Sequence, residues 1–169
     1  MEHENAPGKE AGTRPPTIED LKAICTHLNA AGAKYALIGG LAVNYYGFPR
    51  ATQDIDFLVD SSEENIVKIK QALDFLPDRA SRDLRPDDVL VYSIVRVADE
   101  IVIDLIGSVG DVDFNAIGIE RGSIDGVPVP IADLDTLIKT KKGLREKDKI
   151  DLQFLLMLKA ERTTNPDVS

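Results

Sequence analysis

Two aspartates, Asp54 and Asp56, stand one residue apart inside the apolar run QDIDFLV. Side chains alternate faces along a strand, so both carboxylates project on one side while Ile55 and Phe57 point to the other. Like charges that close repel and raise one of the two pKa values, and a divalent cation between them removes the conflict. Mg²⁺ suits the arrangement, because it takes a few carboxylates and completes its octahedron with water and substrate phosphates. A third acid, Asp104, interrupts the apolar run EIVIDLIG on the same side as Val102 and Ile106. A buried acid needs a partner. If this strand lies beside the first, the three carboxylates can hold two Mg²⁺ ions, one activating an acceptor hydroxyl and one steadying a triphosphate. The plain alternative is a pair of solvated strand edges that happen to carry acids.

Around these acids lie residues that could meet a phosphate. Gly39-Gly40 falls between a strand and a helix, where missing side chains let backbone N–H groups approach an anion beside a helix N-terminus. Arg50 and Thr52 immediately precede the carboxylates, where an arginine could orient Asp56 or a phosphate. Lys141 either binds the triphosphate or solvates a helix end beside Lys139 and Lys142. Arg145, Lys147, Asp148 and Asp151 have the spacing of an ion-pair cluster that docks a last helix, which makes Lys147 structural. Arg79, Arg82 and Arg85 punctuate a polar stretch that reads as a solvated loop, and Cys25 reads as a core residue.

The elements that must position these groups follow from periodicity and punctuation. Thr17 and Asp20 form a capping box for a first helix to about residue 31. Tyr35 to Ile38 is a short strand, the glycines a tight turn, and Leu41 to Tyr46 a helix ended by Gly47 and Pro49. A strand over 53–59 leads into a helix over 62–75 capped by Ser61 with Glu64, followed by a loop from 77 to 88. Strands at Val89 to Val97 and Glu100 to Ile106 make an antiparallel hairpin, and Asp125-Gly126 marks another. Helices from Ile131 to Lys142, stopped by Gly143, and from Lys147 to Arg162 complete the chain. Strands in the middle with helices around them make an α/β (α+β) domain, a central mixed or antiparallel sheet flanked by helices. It spans 17–162, after a disordered arm over 1–16 and before a flexible tail over 163–169.

Composition narrows the classes of function. The 169 residues suffice for one domain with a hydrophobic core, and no apolar stretch is long enough for a membrane span. The N-terminus has no basic segment leading into an apolar one, so the expected location is cytoplasmic. One cysteine and two histidines, His3 and His27, give no zinc constellation, so any metal must be held by oxygens. The net charge of -9 tilts against a general binder of nucleic acid, although a local basic groove can coexist with it.

Read together, KYALIGGLAVNYYGFPRATQDIDFLVD resembles the opening motif of the DNA-polymerase-beta-like nucleotidyltransferase superfamily, in which a Gly-Gly or Gly-Ser turn precedes an Asp-x-Asp strand by a short helix. Here 13 residues separate Gly40 from Asp54, and the run from Arg50 through Thr52 to Asp56 is similar to the branch containing abortive-infection toxins. LIKTKKGLREKDKIDLQFLL resembles that branch's C-terminal pattern, with Lys141, Arg145, Lys147, Asp148 and Asp151 at its basic and acidic positions. The likeness covers about residues 33–158. It implies a nucleotidyltransferase fold, a site in which Asp54, Asp56 and Asp104 hold two Mg²⁺ ions, and Gly39, Gly40, Arg50, Thr52 and Lys141 around an NTP. Gly40 departs from the serine common elsewhere in the superfamily, so backbone contacts must serve. The implied reaction moves a nucleoside monophosphate from an NTP, ATP among the candidates, to an acceptor hydroxyl on a tRNA, a protein or a small molecule, as a toxin opposed by an antitoxin. A noncatalytic nucleotide- or metal-binding module acting with a partner protein is the competing reading, and the intact carboxylates oppose it.

Overall fold

A computed structural model describes residues 12–141 and 146–165. Helix α1 (Ile18–Ala30) starts at the expected capping box: Thr17 accepts from the Asp20 backbone, and the Asp20 carboxylate accepts from the Thr17 N–H at 2.7 Å. Strand β1 (Tyr35–Ile38) runs directly into α2 (Gly39–Tyr45), so the two glycines are the first turn of the helix and not a separate turn before it. After β2 (Asp54–Val59), helix α3 (Glu63–Ala72) is capped by Ser62, which accepts from the Asn65 N–H, and not by Ser61.

A single turn of helix, α4 (Asp88–Val91), occupies residues expected to begin a strand. The Asp88 carboxylate accepts from the Arg85 N–H at 2.8 Å and so fixes the turn that starts it. The hairpin partners are therefore β3 (Ile94–Ala98) and β4 (Val102–Ile106), followed by the two-residue strands β5 (Ser108–Val109) and β6 (Val112–Asp113). Strands β7 (Ile119–Ile124) and β8 (Val127–Ala132) meet at Asp125 and Gly126, both at positive φ (49° and 83°), as a tight hairpin turn of this hand requires. Strand β8 runs past Ile131, where a helix was expected. Asp133 then caps α5 (Leu134–Thr140), and α6 (Glu146–Thr164) closes the described chain two residues beyond the expected end.

The main sheet has the order β3-β4-β2-β1-β8-β7 and is mixed: β4 with β2 and β1 with β8 are parallel, the other neighbours antiparallel. One face carries Tyr35, Leu37, Ile55, Phe57, Ile103 and Leu105, all buried, with Tyr35 and Phe57 edge to face at 5.2 Å. Helix α1 lies against this face, contributing buried Cys25 and an Asn29 side chain 2.7 Å from the Tyr35 hydroxyl. Burial of the apolar groups on this face, at about 25 cal/mol per Å², is the main force holding the sheet beneath the opposite face, which carries the acids.

The polar stretch after α3 is pinned from below. Buried Asp99, in the β3–β4 connection, accepts from the N–H groups of Asp78, Ala80 and Glu100 at 2.8–3.0 Å. Within the stretch 1–16, Arg14 has partners on both its backbone and its side chain. The Arg14 N–H bonds the Glu100 carbonyl at 2.9 Å, and its guanidinium forks onto Asp20 at 2.6 and 2.8 Å. That pairing, with the cap, holds the Asp20 carboxyl down at about 2. Residues 1–11, Gly143, Arg145 and residues 166–169 lie outside the described residues.

Candidate metal and nucleotide site

Parallel pairing of β2 with β4 puts Asp56 opposite Asp104 and Asp54 opposite Val102. All three carboxylates thus rise from one face of two neighbouring strands, and one oxygen from each lies within 4.8 Å of the others. Asp54 and Asp56 are half-buried and Asp104 is buried. Burial, reinforced by the charges of Asp54 and Asp104, pushes the Asp56 carboxyl well above its ordinary range. Asp54 is raised as well, first by burial and then by Asp104, against the opposing charges of Arg96 and Lys147. The cluster is therefore electrostatically strained when it has only protein around it. A donor set made wholly of carboxylate oxygens at this spacing fits a hard divalent cation such as Mg²⁺.

Arg96 is the residue that sequence reasoning missed. It pairs with Asp104 across the β3–β4 ladder, and its guanidinium forks onto that carboxylate at 2.9 and 3.0 Å, with Asp54 at 3.4 Å. The signal lay in the hairpin itself: the turn at 99–101 sets residue 96 opposite residue 104.

The glycines close the other side of the cluster. Gly39 has φ +73°, and a Cβ there would collide with the Asp56 carboxylate. At Gly40 a side chain would run into the Thr52 methyl and the Arg50 guanidinium, whose Nη2 would stand 2.9 Å from the added Cβ. The absence of a serine at position 40 thus has a steric cause: the space is already taken by Arg50 and Thr52.

Arg50 is aimed away from Asp56. Its Nη2 and Nε each lie 2.9 Å from Asp151, a fully buried carboxylate of α6 that also meets the Lys141 Nζ at 3.1 Å. Asp148 stands 3.6 Å from the same ammonium. This buried cluster docks α6 against α5 and the strand entrance, the role expected for Asp148 and Asp151. Lys147 does not belong to it: it is exposed and lines the site, where its charge favours ionised Asp54. The three loop arginines do not line the site. Arg82 pairs with Asp74 at 3.0 Å and Arg85 approaches Asp87 at 3.8 Å.

A cavity of about 870 Å³ brings these parts together, lined by Gly40, Arg50, Thr52, the three aspartates, Arg96, Lys141 and Lys147, along with Val91, Tyr92 and Ile94. That volume lies within the range of small-molecule sites. Among the described residues no helix is long and apolar enough to cross a membrane.

Comparison with known proteins agrees with the geometry. No curated protein sequence matches the chain. Among solved structures, a Thermotoga maritima protein assigned to the nucleotidyltransferases superposes with a TM-score of 0.50 at 15% identity, covering 86% of this chain and 90% of that one. An antigenic nucleotidyltransferase-like protein from Paracoccidioides brasiliensis gives 0.52 at 15% identity, over 92% and 93%. At such identity these likenesses establish the fold. The sequence profile described as "Nucleotidyl transferase AbiEii toxin, Type IV TA system" matches residues 23–141. The chain therefore belongs to the AbiEii nucleotidyl transferase toxin family and is a nucleotidyltransferase.

Proposed function

We propose that the enzyme is the toxin of a toxin–antitoxin pair, and that with Mg²⁺ it transfers a nucleoside monophosphate from an NTP to an acceptor hydroxyl. The observation that carries this reading is the carboxylate triad: three buried or half-buried aspartates with oxygens within 4.8 Å, on a scaffold shared with nucleotidyltransferases. Asp54, Asp56 and Asp104 would hold the ions. Bound there, Mg²⁺ supplies Lewis-acid stabilisation of the phosphates and lowers the pKa of the attacking hydroxyl.

The chain's own groups do the rest by position. Gly39 and Gly40 form the first turn of α2, beside Asp56 and Arg50 respectively, where backbone N–H groups at a helix start would serve as donors for a triphosphate oxygen. Thr52 and Arg50 occupy the place a side chain at position 40 would fill, so Arg50 offers the polar contact to phosphate there. Lys141 lines the same wall and adds positive charge, held in place by Asp148 and Asp151. In the reaction the acceptor oxygen bonds to the α-phosphorus, the bond from that phosphorus to the bridging oxygen breaks, and pyrophosphate leaves. The family's type IV toxin–antitoxin assignment supports an antitoxin as the protein partner. The acidic chain as a whole favours a protein or small-molecule acceptor over RNA.

Thermal melting tests the site directly. Each of the four NTPs at millimolar concentration with Mg²⁺ is compared with NTP in EDTA. A ligand that binds only the native state at 100 times its Kd adds about 2.7 kcal/mol. A Tm that rises with NTP and Mg²⁺ and falls back in EDTA is expected, and a flat response to all four NTPs would remove the nucleotide site.

A further inference from the structure

We propose that Arg96 is a resident counter-ion of the carboxylate cluster: it holds Asp104 in place while no divalent ion is bound and, through its charge, weakens the site's grip on the metal. The inference rests on the reading of Asp54, Asp56 and Asp104 as metal ligands, and adds a positioning residue that sets their affinity.

The β3 strand lies at the edge of the sheet, with Ile94 and Ala98 exposed and Val95 and Val97 buried. Arg96 shares the outward face with Ile94 and Ala98. An arginine there that served only solubility would extend into water, where its entropy is highest. Instead its guanidinium folds over β4 and makes a two-point contact with Asp104, a carboxylate side chain only 9% exposed. The same Nη2 reaches Asp54 at 3.4 Å, so one cation spans two of the three acids. Of the other cations on the cavity wall, Arg50 and Lys141 are both held by Asp151, and Lys147 is exposed and acts on Asp54 through its charge.

A carboxylate has about four lone-pair positions, and the fork uses one on each Asp104 oxygen. The remaining lone pairs stay available to a metal, so Arg96 and a divalent ion can share Asp104. The two cations nonetheless compete for the same negative charge. Without a metal, removing the arginine leaves Asp104 buried and unpaired beside two other acids, which is costly. With a metal, the ion takes over the neutralising role. The metal-free protein must therefore lose more stability than the metal-bound one, and by linkage the metal must bind the variant more tightly.

The test uses the full chain as wild type, Arg96→Met and Arg96→Lys, with Mn²⁺ titrations by calorimetry and melting curves in EDTA and in saturating Mn²⁺. Expected for Arg96→Met is a metal-free Tm lower by roughly 5 °C or more, a deficit at least halved by Mn²⁺, and Mn²⁺ affinity about tenfold tighter, equivalent to ~1.4 kcal/mol. Arg96→Lys keeps the charge without the fork, so its Mn²⁺ affinity stays within about threefold of wild type. If Arg96→Met folds only in Mn²⁺, the proposal holds. If it stays unfolded in Mn²⁺ while Arg96→Lys folds, or binds Mn²⁺ no more tightly than a metal-binding wild type, Arg96 is not the counter-ion and the metal site stands. A wild type that takes up no Mn²⁺ overturns the metal site and this proposal together.

Discussion

Replacing Asp56 with asparagine should abolish transfer and at the same time leave the metal-free protein slightly more stable. At 4.8 Å, the upper limit of the oxygen spacing here, and an effective dielectric of about 20, two carboxylates repel by about 3.5 kcal/mol. Asp56 faces two such neighbours, but Arg96 and Lys147 beside Asp54 and the Lys141 charge near Asp56 offset much of this. The net relief should be on the order of 1 kcal/mol, or a Tm increase of about 2–4 °C in EDTA. Asparagine keeps the volume, and its amide can donate to the remaining carboxylates. For catalysis the change removes a hard anionic ligand, and a loss of several kcal/mol corresponds to roughly 10³-fold in rate. The pH dependence has a definite sign. Because the folded Asp56 carboxyl is raised, wild type carries no penalty below the ordinary carboxyl range near 4 and a full penalty above the raised value. The stability gap between variant and wild type must therefore open as pH rises and close as it falls. Melting curves in EDTA from pH 4 to 8, with a pyrophosphate-release assay, read both quantities. A variant within tenfold of wild-type activity would show that Asp56 is not a required metal ligand, and one that melts several degrees lower would show that it supports the fold.

Other perturbations read other parts of the structure. Asp151→Ala strips a fully buried carboxylate from Arg50 and Lys141 and should cost about 3–5 kcal/mol, seen as a large drop in the urea midpoint; an unchanged midpoint would show that the cluster does not dock α6. Gly40→Ser forces Thr52 and Arg50 aside, so NTP affinity by calorimetry should fall at least about tenfold, and tighter binding would contradict the steric account. Asp20, held at about 2 by Arg14 and the cap, contributes stability that is complete above pH ~4 and lost as pH falls towards 2. Asp20→Asn should lower the Tm at pH 7 by the equivalent of about 1 kcal/mol and leave it nearly unchanged at pH 2, and an equal loss at both would exclude the ion pair as the cause.

Local rules were enough to find the acids. Strand alternation put Asp54 and Asp56 on one face, and an acid in the apolar run around Asp104 marked the third position. The hairpin between β3 and β4 was legible too, although the helical turn at Asp88–Val91 was not, because the buried Asp88 carboxylate accepts from the Arg85 N–H and fixes a turn that overrides the strand preference of Val89 and Val91. The contact of Arg50 with Asp151 was not legible for a different reason. Asp151 is 101 positions away, and nothing local to the Asp-x-Asp strand signals a carboxylate arriving on the last helix. Lys147 was assigned to that helix's ion pairs from spacing alone, whereas the helix phase turns it into the cavity. Gly40 shows the same limit, since the groups that fill the space beside it come from residues 50 and 52 after the chain has reversed.

Transfer of label decides whether the three aspartates form the metal site of a nucleotidyl transfer reaction. The protein is incubated with each α-³²P-labelled NTP, Mg²⁺ and cell lysate, alongside Asp56→Asn and an EDTA control. Label is expected on a macromolecule or small molecule with at least one NTP, absent in EDTA and absent with the variant. Label that persists with Asp56→Asn, or no label from any of the four NTPs in a protein that melts cooperatively, would contradict that role for the aspartates.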